Sequence, residues 1–256
     1  MTVFQPTPPA GVDPDVTIIA ENPLDTTNYF IVTDGDDLVI TAAGEDEIFT
    51  TLGDDTVYAG LGDDTVFGGA DNDRLFGGSG DDALFGGNGE DFIRGGAGND
   101  EIDGGAGNDN LFGGTGNDRI VGGAGDDTMQ GGDGNDTLVA GRGADVMTGG
   151  KGNDRFQLGR NATVGLDRVT DFNPDEDIIE ISRALLPSSN LRPGRLEDGD
   201  FDVVTKLGSG VTAKIVYESS TGLIYYNPSR SGSAPVPLLE VDKNLTVAAD
   251  AFRIIG

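Results

Sequence analysis

The sequence predicts an all-β fold: a right-handed parallel β-roll, in which 18-residue coils build two short-stranded parallel sheets, with a C-terminal β-rich capping domain. Three observations predict it. A nine-residue pattern repeats fourteen times without insertion from residue 32 to residue 157. One position of the pattern is apolar in every repeat, and another is aspartate in every repeat. Glycine, at 43 of 256 residues, is concentrated in the same segment. Such a short, fixed period is typical of a solenoid.

Each repeat predicts one strand and one turn, as in Gly77–Phe85, which reads GGSGDDALF. Position 8 is the apolar one, so positions 7–9 are expected to form a three-residue strand with one buried side chain. The six residues before it are expected to form a turn, because glycine permits positive φ. Position 4 is glycine except at Asp71, and aspartate visits the left-handed region more readily than most residues. Because a three-residue strand is not stable alone, the repeats are expected to stack as seven coils, each made of two repeats.

The composition divides the chain into three segments. Residues 32–157 contain 27 acidic residues, 6 basic residues and 33 glycines. We therefore assign residues 1–31 to an N-terminal cap, 32–157 to the β-roll and 158–256 to the C-terminal cap. Residues 17–20 predict a strand, and 29–31 another that leads into the first repeat. Residues 216–227 predict a hairpin around Ser-Thr-Gly.

Composition also excludes several classes of function. The chain has no His and no Cys, which excludes Ser-His-Asp triads, Cys nucleophiles, zinc helices of the HExxH type and disulfide frameworks. The net charge of −29 argues against a nucleic-acid partner, which requires a basic face. No apolar run is long enough to span a membrane. The N-terminal residues lack the basic and apolar regions of a cleaved signal peptide.

The aspartate at position 6 is the candidate metal ligand. Stacking is expected to bring each one near the aspartate two repeats on, for example Asp82 near Asp100. Such a column of carboxylates repels itself unless a hard cation with oxygen ligands lies between them. Seven aspartates on each side leave six gaps, so at most twelve cations fit, and we expect about 8–12 Ca²⁺ ions. The fourteen aspartates are Asp37, Asp46, Asp55, Asp64, Asp73, Asp82, Asp91, Asp100, Asp109, Asp118, Asp127, Asp136, Asp145 and Asp154.

These residues resemble the RTX (repeats-in-toxin) family, whose motif G-G-x-G-x-D-x-U-x forms a calcium-binding β-roll. The resemblance implies a Ca²⁺ ion between successive turns on one side. The ligands would be the aspartate and the carbonyls of positions 2 and 4 of one turn, with the aspartate and the carbonyls of positions 1 and 3 of the turn two repeats on. One such site comprises Gly78, Gly80, Asp82, Gly95, Ala97 and Asp100.

The same correspondence gives the remaining carbonyl ligands. At position 1 they are Gly95, Gly104, Gly113, Gly122 and Gly131; at position 2, Gly69, Gly78, Gly87, Gly96, Gly105, Gly114, Gly123 and Gly132. At position 3 they are Ala97, Ala106, Thr115, Ala124 and Asp133; at position 4, Gly80, Gly89, Gly98, Gly107, Gly116, Gly125 and Gly134. The first three repeats lack the double glycine, so the motif carries over least well to sites that use Asp37 and Asp46.

The C-terminal segment carries two further resemblances. Asp167–Ser182 resembles the segment that follows RTX repeats in many secreted proteins, with Asp175 where glycine is usual. Asp250–Gly256 resembles the uncleaved C-terminal signal of type I secretion substrates; a final edge strand that caps the roll is the plainer interpretation. The resemblance thus implies the type I secretion machinery as a partner.

The sequence therefore predicts a secreted, extracellular, non-enzymatic protein that folds on binding Ca²⁺ and is disordered without it. An alternative is a module that binds acidic or cell-surface polysaccharide through Ca²⁺ bridges or an aromatic stripe at position 9. Those rings are Phe49, Phe67, Phe85, Tyr58, Phe76 and Phe112; packing over the glycine turns or beneath the flanking segments is their plainer role. An enzyme using paired carboxylates is the third hypothesis, for which no separate domain remains.

Overall fold

The structure, a computed structural model, describes residues 17–19, 29–32, 34–158, 165–186, 194–195, 201–204, 215–226, 235–243 and 245–255. Four short strands come first: β1 (Thr17–Ile19), β2 (Tyr29–Ile31), β3 (Leu38–Ile40) and β4 (Glu47–Phe49). Eleven six-residue strands follow: β5 (Thr56–Leu61), β6 (Thr65–Ala70), β7 (Arg74–Ser79), β8 (Ala83–Asn88), β9 (Phe92–Ala97), β10 (Glu101–Ala106), β11 (Asn110–Thr115), β12 (Arg119–Ala124), β13 (Thr128–Asp133), β14 (Thr137–Arg142) and β15 (Val146–Lys151).

The remaining strands are β16 (Arg155–Leu158), β17 (Asp167–Val169), β18 (Ile178–Ser182), β19 (Gly194–Arg195), β20 (Phe201–Val204), β21 (Ile215–Glu218), β22 (Leu223–Tyr226), β23 (Val236–Glu240) and β24 (Phe252–Ile255). Two 3₁₀ segments, Arg183–Leu185 and Ala249–Ala251, complete the described elements. Among the described residues, no helix has the length and apolar character needed to cross a membrane.

From β1 to β18, successive strands alternate between two sheets. The first sheet has the order β1-β3-β5-β7-β9-β11-β13-β15-β17-β23-β22-β21-β20, and the second has the order β19-β24-β18-β16-β14-β12-β10-β8-β6-β4-β2. Within the repeats, pairing is parallel with a spacing of 18 residues, as between Ile102 and Ile120. The predicted all-β parallel roll of 18-residue coils is therefore confirmed.

The core is the column of position-8 side chains between the two sheets. All fourteen, from Val39 to Phe156, are completely buried. Each lies at the centre of a strand segment whose flanking side chains point outward, because side chains alternate along a β-strand. The phase of the apolar position therefore fixes which face of each strand is inside.

The predicted three-residue strands with six-residue turns are wrong for most of the roll. From β5 to β15, each strand continues through positions 1–3 of the next repeat, which leaves a turn of three residues. The position-2 glycines of these strands have φ between 101° and 128°, a backbone that L side chains rarely adopt. Strands β3 and β4 keep the predicted length, and Thr41-Ala42 and Thr50-Thr51 follow them instead of a pair with glycine at position 2.

The C-terminal strands extend both sheets of the roll. β17 pairs in parallel with β15, and β18 pairs in parallel with β16. The predicted hairpin is confirmed, since Ile215 pairs antiparallel with Tyr226. The prediction of a final edge strand is wrong, because β24 lies between β18 and β19. Its backbone thus has partners on both sides.

Candidate metal centres

The position-6 aspartates form two columns, one on each side of the roll, and all fourteen are buried, with 0–3% of their surface exposed. From Asp55 to Asp154, Oδ1 of each aspartate accepts a hydrogen bond from the backbone N–H of the aspartate 18 residues earlier, at 2.8–3.0 Å. Asp100 contacts Asp82 in this way at 2.9 Å. The sequence brings these pairs together because the strands align the two turns in register.

In ten of these carboxylates the second oxygen is buried and has no donor. Within the described part of the chain, Oδ2 lacks a hydrogen-bond partner in Asp64, Asp73, Asp82, Asp91, Asp100, Asp109, Asp118, Asp127, Asp136 and Asp145. A buried charged oxygen without a compensating partner is costly. It needs either a proton or a cation.

Burial and like charge raise the pKa of these carboxyl groups. Burial raises the pKa of Asp73 from 3.8 to about 8; the hydrogen bond from the Asp55 backbone opposes the shift, and the charges of Asp91 and Asp55 add to it. Burial likewise raises the pKa of Asp82 to about 7, against the backbone hydrogen bond of Asp64 and with the charge of Asp100. In the absence of a cation the folded columns therefore favour protonated carboxyl groups.

The glycine at position 1 leaves room for the unpartnered oxygen. A Cβ atom on Gly77 would strike Oδ2 of Asp82, and it would also lie 2.9 Å from the carbonyl oxygen of Gly95. The carboxylate and that carbonyl therefore border the same small space. The same arrangement recurs elsewhere; at Gly104, for example, the added atom would meet Asp109 and the carbonyl oxygen of Gly122.

Carbonyl oxygens from positions 2 and 4 also face the gap between turns. A Cβ atom on Gly96 would meet the carbonyl oxygen of Gly78, and one on Gly98 would meet that of Gly80. The Ala97 carbonyl accepts the Gly80 N–H at 2.8 Å, which occupies one of its two lone pairs. The six residues assigned to this site from the sequence thus border one gap.

Two threonines, which replace the position-1 glycine in repeats that lack the double glycine, change the gaps near the start of the roll. The hydroxyl of Thr41 donates to the carbonyl oxygen of Ala59, and that of Thr50 donates to the carbonyl oxygen of Gly68. Both carbonyls occupy position 1, so a hydroxyl lies where other gaps present only oxygen acceptors. The signal is visible in the sequence as threonine at position 1 in place of glycine.

The columns also extend beyond the fourteen repeats. Asp167 accepts the backbone N–H of Asp145 at 3.2 Å, and Asp177 accepts that of Asp154 at 3.0 Å. Sequence reasoning did not align these residues with position 6. The detectable signal is Gly165-x-Asp167-x-Val169, which matches positions 4, 6 and 8 of the repeat.

The donor set suits a hard cation held by paired carboxylates and carbonyl oxygens. Calcium takes six to eight oxygen ligands in flexible geometry. Among the described residues, no group of three or more acidic side chains converges to hold a metal ion. Carbonyl oxygens would therefore have to complete each site.

The aromatic side chains at position 9 mostly stack on one another. Phe67 lies between Phe49 and Phe85, with ring centroids 4.7 and 4.9 Å apart. On the other sheet Tyr58 stacks on Phe76 at 4.8 Å. The rings are half-buried except that of Tyr58, which is exposed. Neighbouring rings therefore cover part of their faces.

The first sheet also carries a groove on its outer face, with a volume of about 530 Å³. Phe92 and Phe112 line it, together with Arg94, Gln130 and Asp133. Phe92 occupies position 7, and its ring lies 5.3 Å from that of Phe112. The sequence reasoning missed Phe92 because it followed only position 9.

Of the comparisons with known proteins, the one with protein families agrees with the repeat pattern. No curated protein is similar enough in sequence to this chain to count as a match. A subunit of the mannuronan C5-epimerase from Azotobacter vinelandii, known from its solution structure, is 24% identical, with 59% of this chain and 78% of that chain covered and a TM-score of 0.38. The model of the RTX calcium-binding nonapeptide repeat matches residues 25–57, 49–84, 58–93, 85–120 and 121–156. These matches span just over half of the chain, which therefore belongs to the RTX calcium-binding nonapeptide repeat family.

Proposed function

We propose that this protein is a secreted, non-enzymatic β-roll that folds when it binds about 8–12 Ca²⁺ ions between its turns. The observation that carries the proposal is the row of buried Oδ2 atoms without a donor. Bound calcium supplies the positive charge that these oxygens lack. Without it, the repeats have to fold either with protonated carboxyl groups or with uncompensated charge.

The residues that hold each ion are those that border one gap. For the gap between Asp82 and Asp100 they are the two carboxylates and the carbonyls of Gly78, Gly80, Gly95 and Ala97. The corresponding residues of the other gaps take the same roles. The gaps that contain the Thr41 and Thr50 hydroxyls bind calcium most weakly, because a donor already occupies a carbonyl oxygen there.

The extracellular location of the folded protein follows from the calcium affinity that we expect for its sites. Extracellular modules bind Ca²⁺ with Kd of about 10⁻⁴–10⁻³ M. At ten times Kd, each site adds about 1.4 kcal/mol to the stability of the folded state. The same chain in a low-calcium compartment lacks this contribution and stays extended. Export through the type I secretion machinery, guided by residues 250–256, suits such a chain.

The test is a Ca²⁺ titration in solution, followed by far-UV circular dichroism, with Mg²⁺ as the control ion. We expect a transition from coil to β structure at about 10⁻⁴–10⁻³ M Ca²⁺, with ion stoichiometry measured by calorimetry. Mg²⁺ is expected to be a poor substitute because it demands near-ideal octahedral geometry. A fully folded β protein in excess chelator would overturn the proposal.

A second candidate function, binding of an acidic cell-surface polysaccharide, is favoured by the groove on the first sheet. The Phe112 ring offers an apolar surface to a sugar ring, and Arg94 offers a cation to a sugar carboxylate. The test is a glycan array with the calcium-loaded protein and two variants. Phe112→Ser should abolish binding, whereas Phe85→Ser, on the other sheet, should not. Equal binding by both variants would reject the groove as the site.

A further inference from the structure

Segment 165–169 adopts the geometry of a fifteenth repeat, although it lies outside the uninterrupted pattern. Asp167 takes the place of the position-6 aspartate, and its Oδ1 accepts the Asp145 N–H. Val169 takes the apolar position and is completely buried. Gly165 has φ 113°, as a position-4 glycine does. A Cβ atom on it would lie 2.7 Å from the carbonyl oxygen of Gly143, so that carbonyl faces the gap.

Between Asp145 and Asp167, as within the repeats, buried carboxylate oxygens lack a compensating positive charge or hydrogen-bond donor. Asp145 is completely buried and Asp167 is 1% exposed. Within the described residues, Oδ2 of each has no hydrogen-bond partner. Two buried carboxylate oxygens without a donor and the Gly143 carbonyl therefore border the junction between the last coil and segment 165–169, which the fourteen repeats do not include.

The other column ends differently. Asp177 also accepts a backbone N–H from the roll, through Oδ1. Its Oδ2, however, accepts the N–H of Asn173 at 2.8 Å. Both oxygens of Asp177 are thus satisfied by the protein itself, and this column needs no cation beyond Asp154.

We propose that a further divalent cation binds between Asp145 and Asp167, where it fastens the first C-terminal strand to the last coil of the roll. The site belongs to one column only, so the two sides of the roll end asymmetrically. This inference rests on the proposed calcium binding by the repeats. It adds one ion to the number that the fourteen repeats can hold.

The segment has an anchor that does not depend on the cation. The carboxylate of Asp171 accepts the N–H groups of Gly149 and Gly150, at 2.9 and 2.8 Å. Thr170 and Thr148 share a hydrogen bond of 2.7 Å. Replacement of Asp167 by asparagine also keeps an oxygen acceptor for the Asp145 N–H, so the variant is designed to keep the segment in place.

The experiment is native mass spectrometry of the full chain at saturating Ca²⁺, with circular dichroism to verify folding. Asp167→Asn is compared with the unsubstituted protein and with the control Asp175→Asn, which changes an exposed carboxylate of the same C-terminal segment. We expect Asp167→Asn to bind one ion fewer than the unsubstituted protein and Asp175→Asn to bind the same number. Equal counts for Asp167→Asn and the unsubstituted protein, or a loss in both variants, would overturn the site.

A second measurement covers the case in which Asp167→Asn fails to fold. Hydrogen exchange of the peptide containing residues 165–172 is followed in the unsubstituted protein during the Ca²⁺ titration. Exchange must slow at least tenfold as calcium saturates; exchange indifferent to calcium, while the repeats bind it, would overturn the proposal. If the repeats bind no calcium at all, the proposed function itself fails, and the two failures are distinct.

Discussion

The carboxylate of Asp100 reaches back to the previous coil, where Oδ1 accepts the N–H of Asp82 at 2.9 Å, while its Oδ2 is buried without a donor. The hydrogen bond stabilises the charged form of the carboxyl group, and burial destabilises it. Burial prevails, since the pKa of Asp100 rises to about 6. Asp100 thus joins two successive coils through one carboxylate oxygen, and its other carboxylate oxygen requires a cation.

The first prediction concerns pH in the absence of calcium. The pKa values of Asp64, Asp73 and Asp118 in the folded state are about 7, 8 and 7, against an ordinary value of 3.8. The folded state thus binds more protons than the unfolded chain over about pH 4–8, so its stability falls as pH rises through this range. In chelator, lowering the pH from 8 to 5 should therefore increase β structure, measured by circular dichroism. Less β structure at pH 5 than at pH 8 would contradict it.

The second prediction separates the buried aspartate from its exposed neighbour. Asp82→Asn keeps the acceptor for the Asp64 N–H but removes charge from two gaps. We expect the loss of up to two ions, about 3 kcal/mol at ten times Kd, and a higher calcium midpoint. The control, Asp81→Asn, changes an exposed side chain whose Oδ1 accepts the Asn99 N–H, and asparagine preserves that acceptor. Calorimetry that finds the same ion count in Asp82→Asn and Asp81→Asn would refute the prediction.

The third prediction concerns the small space beside the carboxylate. In Gly77→Ala the new methyl group would displace Oδ2 of Asp82, so we expect a loss of about 1–3 kcal/mol in the calcium-loaded state and weaker calcium binding. Ser79→Ala, on an exposed side chain of the same strand, should change stability by less than about 0.5 kcal/mol. Thermal unfolding at fixed Ca²⁺ measures both. Equal midpoints for the two variants would show that the space is not needed.

The fourth prediction concerns Asp71, which has φ 78° and is the one described residue other than glycine with positive φ. Alanine lacks the local polar contacts that help aspartate in this region, such as the hydrogen bond from the Gly53 N–H at 3.2 Å. Asp71→Ala should therefore lower stability by about 1 kcal/mol, and Asp71→Gly should not lower it. Thermal unfolding at saturating Ca²⁺ gives the order. The reverse order, with alanine above glycine, would rule out backbone strain as the cause.

The coil length, the buried column and the special role of Asp71 could be predicted from the sequence, because each depends on a fixed phase. Position 8 predicts the inside of every strand from Val39 to Phe156, and all are buried. The exception at position 4 marked a positive φ, and Asp71 has one. Periodicity is a strong signal when no insertion breaks it.

The strand lengths and the continuation of the columns could not be predicted in the same way. Strands extend through the double glycine because the backbone, not the side chains, forms the ladder there, and a pattern of side chains does not reveal this. Asp167 and Asp177 lie 22 and 23 residues after their partners in the columns. The added residues break the period of 18, so the periodicity alone does not place them in the columns. For Asp167 the remaining sequence signal is the match of Gly165, Asp167 and Val169 to positions 4, 6 and 8 of the repeat.

Each coil of the roll contacts mainly the coil before it and the coil after it, through strand ladders and a single carboxylate bridge on each side. Such a molecule is a one-dimensional lattice with nearest-neighbour coupling. The first coil to form bears most of the ordering cost, and every later coil grows on a finished template. The parallel continuation of both sheets into β17 and β18 provides such a template at one end. Folding that starts there adds coils one after another toward the first repeats. The number of coils sets the extent of this propagation.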